Sequence, residues 1–163
     1  MQQKSFDFKK IIFIAVVVLA GLLAFRFLMP ANCSALVQDA QSVTIIMKEK
    51  TAVDGNPEIL SYEVTFEMGD RELIELKNLF TEYNCFYTLK QLDWADSSMM
   101  ILNVPLTFHI DVSTSDGVRN FQLAGKYLVS GENVWRIGRG AKGALLQQRL
   151  FGFVLDHQET ADE

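Results

Sequence analysis

His109 and Asp111 stand two residues apart in the stretch Leu106-Thr107-Phe108-His109-Ile110-Asp111-Val112-Ser113. Apolar and polar residues alternate there, so a strand would place both on one face, with Thr107 and Ser113 beside them. An imidazole, a carboxylate and a hydroxyl are the parts of a general base, its orienting partner and a nucleophile. Residues i and i+2 of a strand lie about 7 Å apart, so spacing alone does not guarantee a hydrogen bond between them. Polar residues on the wet face of a strand also need no catalytic reason. One observation separates the two readings. A cleft around His109 with a shifted titration favours a small hydrolase; a solvated His109 on a flat sheet face favours a binding surface.

Gly138-Arg139-Gly140-Ala141-Lys142-Gly143 matches the letters of a dinucleotide-binding loop, with a strand pattern before it and a helix pattern after. In such a loop the glycines let the backbone approach a pyrophosphate at a helix N-terminus. A Rossmann unit needs a second parallel strand beyond the helix and an acidic residue about 20 positions on. The residues past Leu155 read instead as a polar tail, so no nucleotide or other cofactor is expected. A weaker version keeps Arg136, Arg139, Lys142 and Arg149 as candidates for holding an anion; the plain reading is a flexible connector.

Charge is unevenly spread. Residues 49–96 hold eleven acidic and four basic side chains, whereas residues 118–150 hold six basic and one acidic. A shared basic surface could meet lipid headgroups or an anionic polymer. The simpler account is that both sets merely solvate separate faces. Nucleic acid is not an expected partner, because residues beyond Pro30 hold nineteen acidic against eleven basic groups. Asp93-Trp94-Ala95-Asp96-Ser97-Ser98 offers oxygen ligands but lacks the ligand density and glycine of a calcium loop, so no metal site is assigned. Cys33 and Cys85 can form a disulfide in an oxidising compartment; two small buried hydrophobes are the simpler reading. Asn32-Cys33-Ser34 matches a glycosylation sequon, a short pattern that often arises by chance.

These groups need elements to position them. The chain has 163 residues, 49% of them apolar and 21% charged, with a formal net charge of −5. That excludes a disordered or collagen-like chain and leaves room for one domain with an appendage. Ile11 to Phe25 contains no charged group, and the apolar run resumes after Arg26 to Met29 before Pro30. As a helix, residues 11–29 would span about 28 Å, close to the ~30 Å hydrocarbon core of a bilayer. Lys4, Lys9 and Lys10 precede the run, which predicts a cytoplasmic N-terminus and an exported remainder. A cleaved signal peptide is the competing reading, but its apolar core would break sooner.

Beyond the anchor, alternation predicts strands over Val43–Met47 and Leu60–Met68, separated by the Asp54-Gly55-Asn56-Pro57 turn cluster. Leu73, Leu76, Phe80 and Tyr83 form one helical stripe, widened by Ile74 and opened by Asp70 as the cap. Strands follow at Cys85–Lys90, Leu106–Ser113, Phe121–Leu123, Tyr127–Val129 and Val134–Ile137, with a hairpin signal at Ser115-Asp116-Gly117. A last helix, about Ala141 to Leu155, shows Leu145, Leu146, Arg149, Leu150, Phe153 and Val154 on its main face. The predicted fold is α+β: an antiparallel sheet of about five to seven strands with two packed helices, preceded by one N-terminal transmembrane helix. The predicted division is a cytoplasmic tail (1–10), an anchor (11–29), a juxtamembrane linker (30–40), an extracytoplasmic domain (41–156) and an acidic tail (157–163). This is the layout of small bacterial single-anchor envelope proteins. That layout carries no activity with it; the leading expectation is a non-enzymatic binding module for a protein, peptide or anionic polymer, with the bilayer as partner of residues 11–29. The alternatives are the hydrolase built on His109 and Asp111 and lipid docking through the basic residues.

Overall fold

The computed structural model describes residues 8–53, 56–88, 105–131 and 133–158. Among the described residues the fold is α+β: one antiparallel sheet of eight strands, three α-helices and a short 3-10 helix. The strands are β1 (Ala31–Asn32), β2 (Ser42–Val53), β3 (Asn56–Glu67), β4 (Asn84–Tyr87), β5 (Leu106–Thr114), β6 (Gly117–Ala124), β7 (Tyr127–Ser130) and β8 (Asn133–Ile137). Their order across the sheet is β1-β4-β8-β7-β6-β5-β2-β3. The sheet therefore exceeds the expected five to seven strands. The added one, β1, is two residues long and pairs with Cys85 and Asn84, and two residues carry no periodicity to read.

The long β2–β3 hairpin forms because both segments alternate, and each buries its apolar set on the same side. Val43 faces Phe66, Ile45 faces Val64 and Met47 faces Tyr62 in register. Pro57 lies in β3, which is an edge strand and so tolerates a residue without a backbone donor. Asp54 and Gly55 lie outside the described residues, as do Lys90 and the Asp93–Ser98 loop with Trp94. Strand β4 is described as far as Tyr87, short of the predicted Lys90.

Two helices cover one face of the sheet. Helix α2 (Arg71–Thr81) buries Leu73, Leu76, Leu79 and Phe80. Tyr83 joins them just past its end, whereas Ile74 is 59% exposed and does not widen the stripe. Asp70 occupies the cap position with extended backbone, but its carboxylate makes no cap bond and instead accepts the Glu67 N–H at 2.7 Å. Helix α3 (Lys142–Gln158) buries Gly143, Leu146, Leu150 and Val154, and Leu145 is left exposed. His157 and Gln158 belong to this helix and not to a tail. The Gln147 side chain donates to the Leu106 carbonyl at 2.6 Å, fixing α3 to β5.

Residues 31–40 are part of the domain and not a free linker. Cys33, Val37 and Ala40 are buried in the core, and Lys77 donates to the Ala40 carbonyl at 3.0 Å. The two cysteines are bonded: Cys33 and Cys85 have Cα atoms 5.6 Å apart and close a disulfide between β4 and the segment after β1. The Asn32 amide is also engaged, accepting from Ser34 N–H at 2.8 Å and donating to the Thr81 carbonyl at 3.4 Å.

Helix α1 (Phe8–Leu28) precedes this unit and is apolar on every side. Its described side chains run from residue 10 to residue 25, about 24 Å of helix. Among the described residues no helix is long and apolar enough to cross a membrane.

Candidate functional site

The helices occupy one face of the sheet, so the other face carries the second set of alternating side chains. Register decides which of them meet. The β5–β6 hairpin turns through Ser115 and Asp116, with Thr114 paired to Gly117. Thr114 Oγ1 donates to the Gly117 carbonyl at 3.0 Å and accepts the Asp116 N–H at 3.2 Å, which locks the turn. That register sets His109 opposite Gln122 and Asp111 opposite Asn120. On the other side, β2 sets Ile46 opposite His109 and Lys48 opposite Thr107. Strand β7 sets Val129 opposite Gln122. One row therefore runs Ile46, His109, Gln122, Val129 across four strands. The row toward one strand end contains Lys48, and the row toward the other contains Asp111 and Asn120.

These side chains line a concave pocket of about 540 Å³, together with Phe121 and Gly131. The volume is within the range of sites for small molecules. His109 and Asp111 thus both line this pocket. No hydrogen bond joins them among the described residues. Asp111 acts on the imidazole only through its charge, which favours protonation, and Lys48 opposes it. Burial, reinforced by Lys48, outweighs Asp111 and pulls His109 below its ordinary pKa, so the ring is neutral near pH 7.

The pocket is under-satisfied. His109 Nε2 and Gln122 Nε2 are buried without a hydrogen-bond partner among the described residues. Gln122 is only 9% exposed. A buried amide donor left unpaired costs about 1–3 kcal/mol, so two such atoms in one cavity are unusual in a native fold. Lys48 and Asp111, both half-buried at the rim, have no ion pair among the described residues. Sequence reasoning missed Gln122, Asn120 and Lys48. A signal existed: Asn120 and Gln122 alternate with Phe121 and Leu123, and a two-residue turn at Ser115-Asp116 sets position 109 against 122. Which strands flank this hairpin required the fold.

The basic candidates do not converge. Arg136 and Arg139 both approach the Phe86 ring, at 6.0 and 5.4 Å from its centroid. Arg136 pairs with Tyr127 and Phe86 and so belongs to the open face. Arg149 is on α3, on the opposite side of the sheet. Its guanidinium binds the Glu82 carboxylate with both terminal nitrogens and reaches Tyr83 Oη at 3.5 Å. That ion pair holds Glu82 below and Arg149 above their ordinary values.

The glycine-rich segment has a structural explanation. Gly138 and Gly140 have φ of +60° and +64°, which strains any other residue. A Cβ on Gly143 would sit 2.7 Å from the Lys126 backbone. The glycines let the chain reverse tightly from β8 into α3 and pack against the turn between β6 and β7. Among the described residues, no group of three or more His, Cys, Asp or Glu side chains is placed to hold a metal ion. No protein-family model, curated protein or solved structure matches this chain.

Proposed function

We propose that this protein is a binding module tethered at the outer face of a membrane, and that the open-face pocket is where it takes its ligand. The observation that carries the binding reading is that His109 and Gln122 line one pocket and each has a buried side-chain Nε2 without a partner among the described residues. Both atoms have almost no exposed surface, so a ligand would meet them through a rotation of the two side chains, and the hydrogen bonds gained would relieve the cost of leaving them unpaired.

Four features support the address. Taken from the sequence as one helix, the run from Ile11 to Met29 would match a bilayer core, which the described helix by itself does not. The apolar side chains described between Ile11 and Phe25 are exposed on all sides of α1, as a lipid-facing helix requires. The Cys33–Cys85 disulfide belongs to an oxidising compartment, and the lysines before the run favour an inside N-terminus.

A hydrolase using His109 and Asp111 is the second reading, and the cleft and the neutral imidazole favour it. Against it, no Ser, Thr or Cys is among the described residues lining the pocket, and Asp111 does not orient the ring through a hydrogen bond. The test is a titration of the full-length chain in neutral detergent with amino acids, short peptides and sugars, following the His109 ring resonances and the unfolding temperature. Binding without turnover, lost in Gln122→Met, is the expected result. Product formation that disappears in His109→Gln would overturn the binding reading in favour of the hydrolase. The address is tested separately: the chain should resist carbonate extraction from membranes, and its cysteines should resist alkylation before reduction.

A further inference from the structure

The charges around the pocket restrict what it can take. Lys48 opposes Thr107 on β5, and Asp111 lies four residues further along the same face of that strand. The backbone positions of the cation and the anion are therefore about 13 Å apart along the strands. Between them is the row Ile46, His109, Gln122, Val129, whose centre holds the two unpartnered nitrogens and whose ends are apolar. Asn120, opposite Asp111, adds a further amide to the lining.

Each end excludes a class of ligand. A ligand long enough to fill the pocket but carrying only an anion would leave Asp111 desolvated against it, and one carrying only a cation would do the same to Lys48. A wholly apolar ligand would leave four polar groups without partners. A molecule with one positive end, one negative end and amide groups between them satisfies all of them at once. An extended chain of three residues spans about 10 Å, which fits the gap once the long Lys48 side chain leans inward.

The geometry points to a short peptide with free termini as the ligand of this pocket: its carboxylate at Lys48, its ammonium at Asp111, and its internal amides against His109, Gln122 and Asn120. The side chains of such a peptide would lie on Ile46 and Val129, which makes the site tolerant of their identity. This inference rests on the binding reading above, because it names the ligand of the same pocket.

The experiment uses the full-length chain in neutral detergent and isothermal titration with four probes: tri-alanine, its N-acetyl form, its C-terminal amide, and the doubly capped form. Tri-alanine should bind at least about tenfold more tightly than either singly capped form, and the doubly capped form should bind most weakly. Lys48→Met should remove the preference over the amide and keep the preference over the acetylated form; Asp111→Asn should do the reverse. Equal affinity for capped and free peptides overturns the assignment without any variant having to fold. So does a pocket that binds a sugar at His109 and Gln122 but no peptide, a result that leaves the binding reading intact. If no probe, sugar or amino acid moves the His109 resonances, the binding reading itself fails.

Discussion

Gln122 offers a direct test of whether the pocket is built for a ligand or for stability. Its residue is 9% exposed, and its side-chain nitrogen has no partner. Burial without a bond costs about 1–3 kcal/mol. Methionine has nearly the same length and volume and no strongly polar atom, so Gln122→Met removes the penalty without opening a cavity. The expected outcome in the absence of ligand is a gain of about 1–2 kcal/mol. For a domain of this size that is a rise of roughly 4–8 °C in the unfolding midpoint. Urea unfolding of the full-length chain at constant detergent measures the change, with an unaltered m-value as the sign that the denatured state has not shifted. Thr88 supplies a control, since its Oγ1 is likewise buried without a partner among the described residues but does not line this pocket. Thr88→Val should stabilise by a similar amount and leave binding untouched, whereas Gln122→Met should stabilise and abolish binding. A Gln122→Met protein that is no more stable than the original, or less so, means the amide is already satisfied. The central argument for a ligand site would then be lost.

Other outcomes follow from the same structure. The disulfide closes a loop with a sequence separation of 52; on loop entropy alone its reduction should cost about 4 kcal/mol, read as a large drop in the unfolding midpoint with reductant, and a drop below about 1 kcal/mol refutes this. Gly143→Ala should destabilise by about 1–3 kcal/mol, because the new methyl meets the Lys126 backbone. Gly152→Ala, a helical position with open space, should stabilise by about 0.5–1 kcal/mol, and chemical denaturation compares the two. His109 has a folded pKa below its unfolded value of 6.5, with Lys48 pushing it down further and Asp111 up. As pH falls through 6.5 the unfolded chain takes up a proton that the folded chain refuses, so stability drops; His109→Phe should flatten that part of the profile, and an unchanged slope would refute the assignment. Asp39 and Glu82 are held low by Arg119 and Arg149, so their contribution is present above the ordinary carboxylate range and is lost on further acidification; Arg119→Met and Arg149→Met should weaken the acid limb of the same curve.

How much of this was legible before folding depends on the range of the interaction involved. Alternation in β2, β3 and β5 and the stripe of Leu73, Leu76, Phe80 and Tyr83 are local patterns, and they predicted both the elements and the buried face. His109 and Asp111 also fell on one face through local periodicity alone. The eighth strand, the burial of Val37 and Ala40, and the capture of Asp70 by Glu67 depend on what lies beside each segment, and no period records a neighbour.

The amino-acid order by itself determined the α+β class, the polar face of β5 and the separation of acidic from basic segments, because side-chain period and composition are properties of a short stretch. Only the tertiary structure decided that Cys33 meets Cys85, that Arg149 is neutralised by Glu82 far from Arg136, and that Lys48, Gln122 and Asn120 join His109. The physical reason is strand order: β2 comes to pair with β5 across more than fifty residues of intervening chain, and that pairing is chosen by burial of the whole sheet, not by either strand alone.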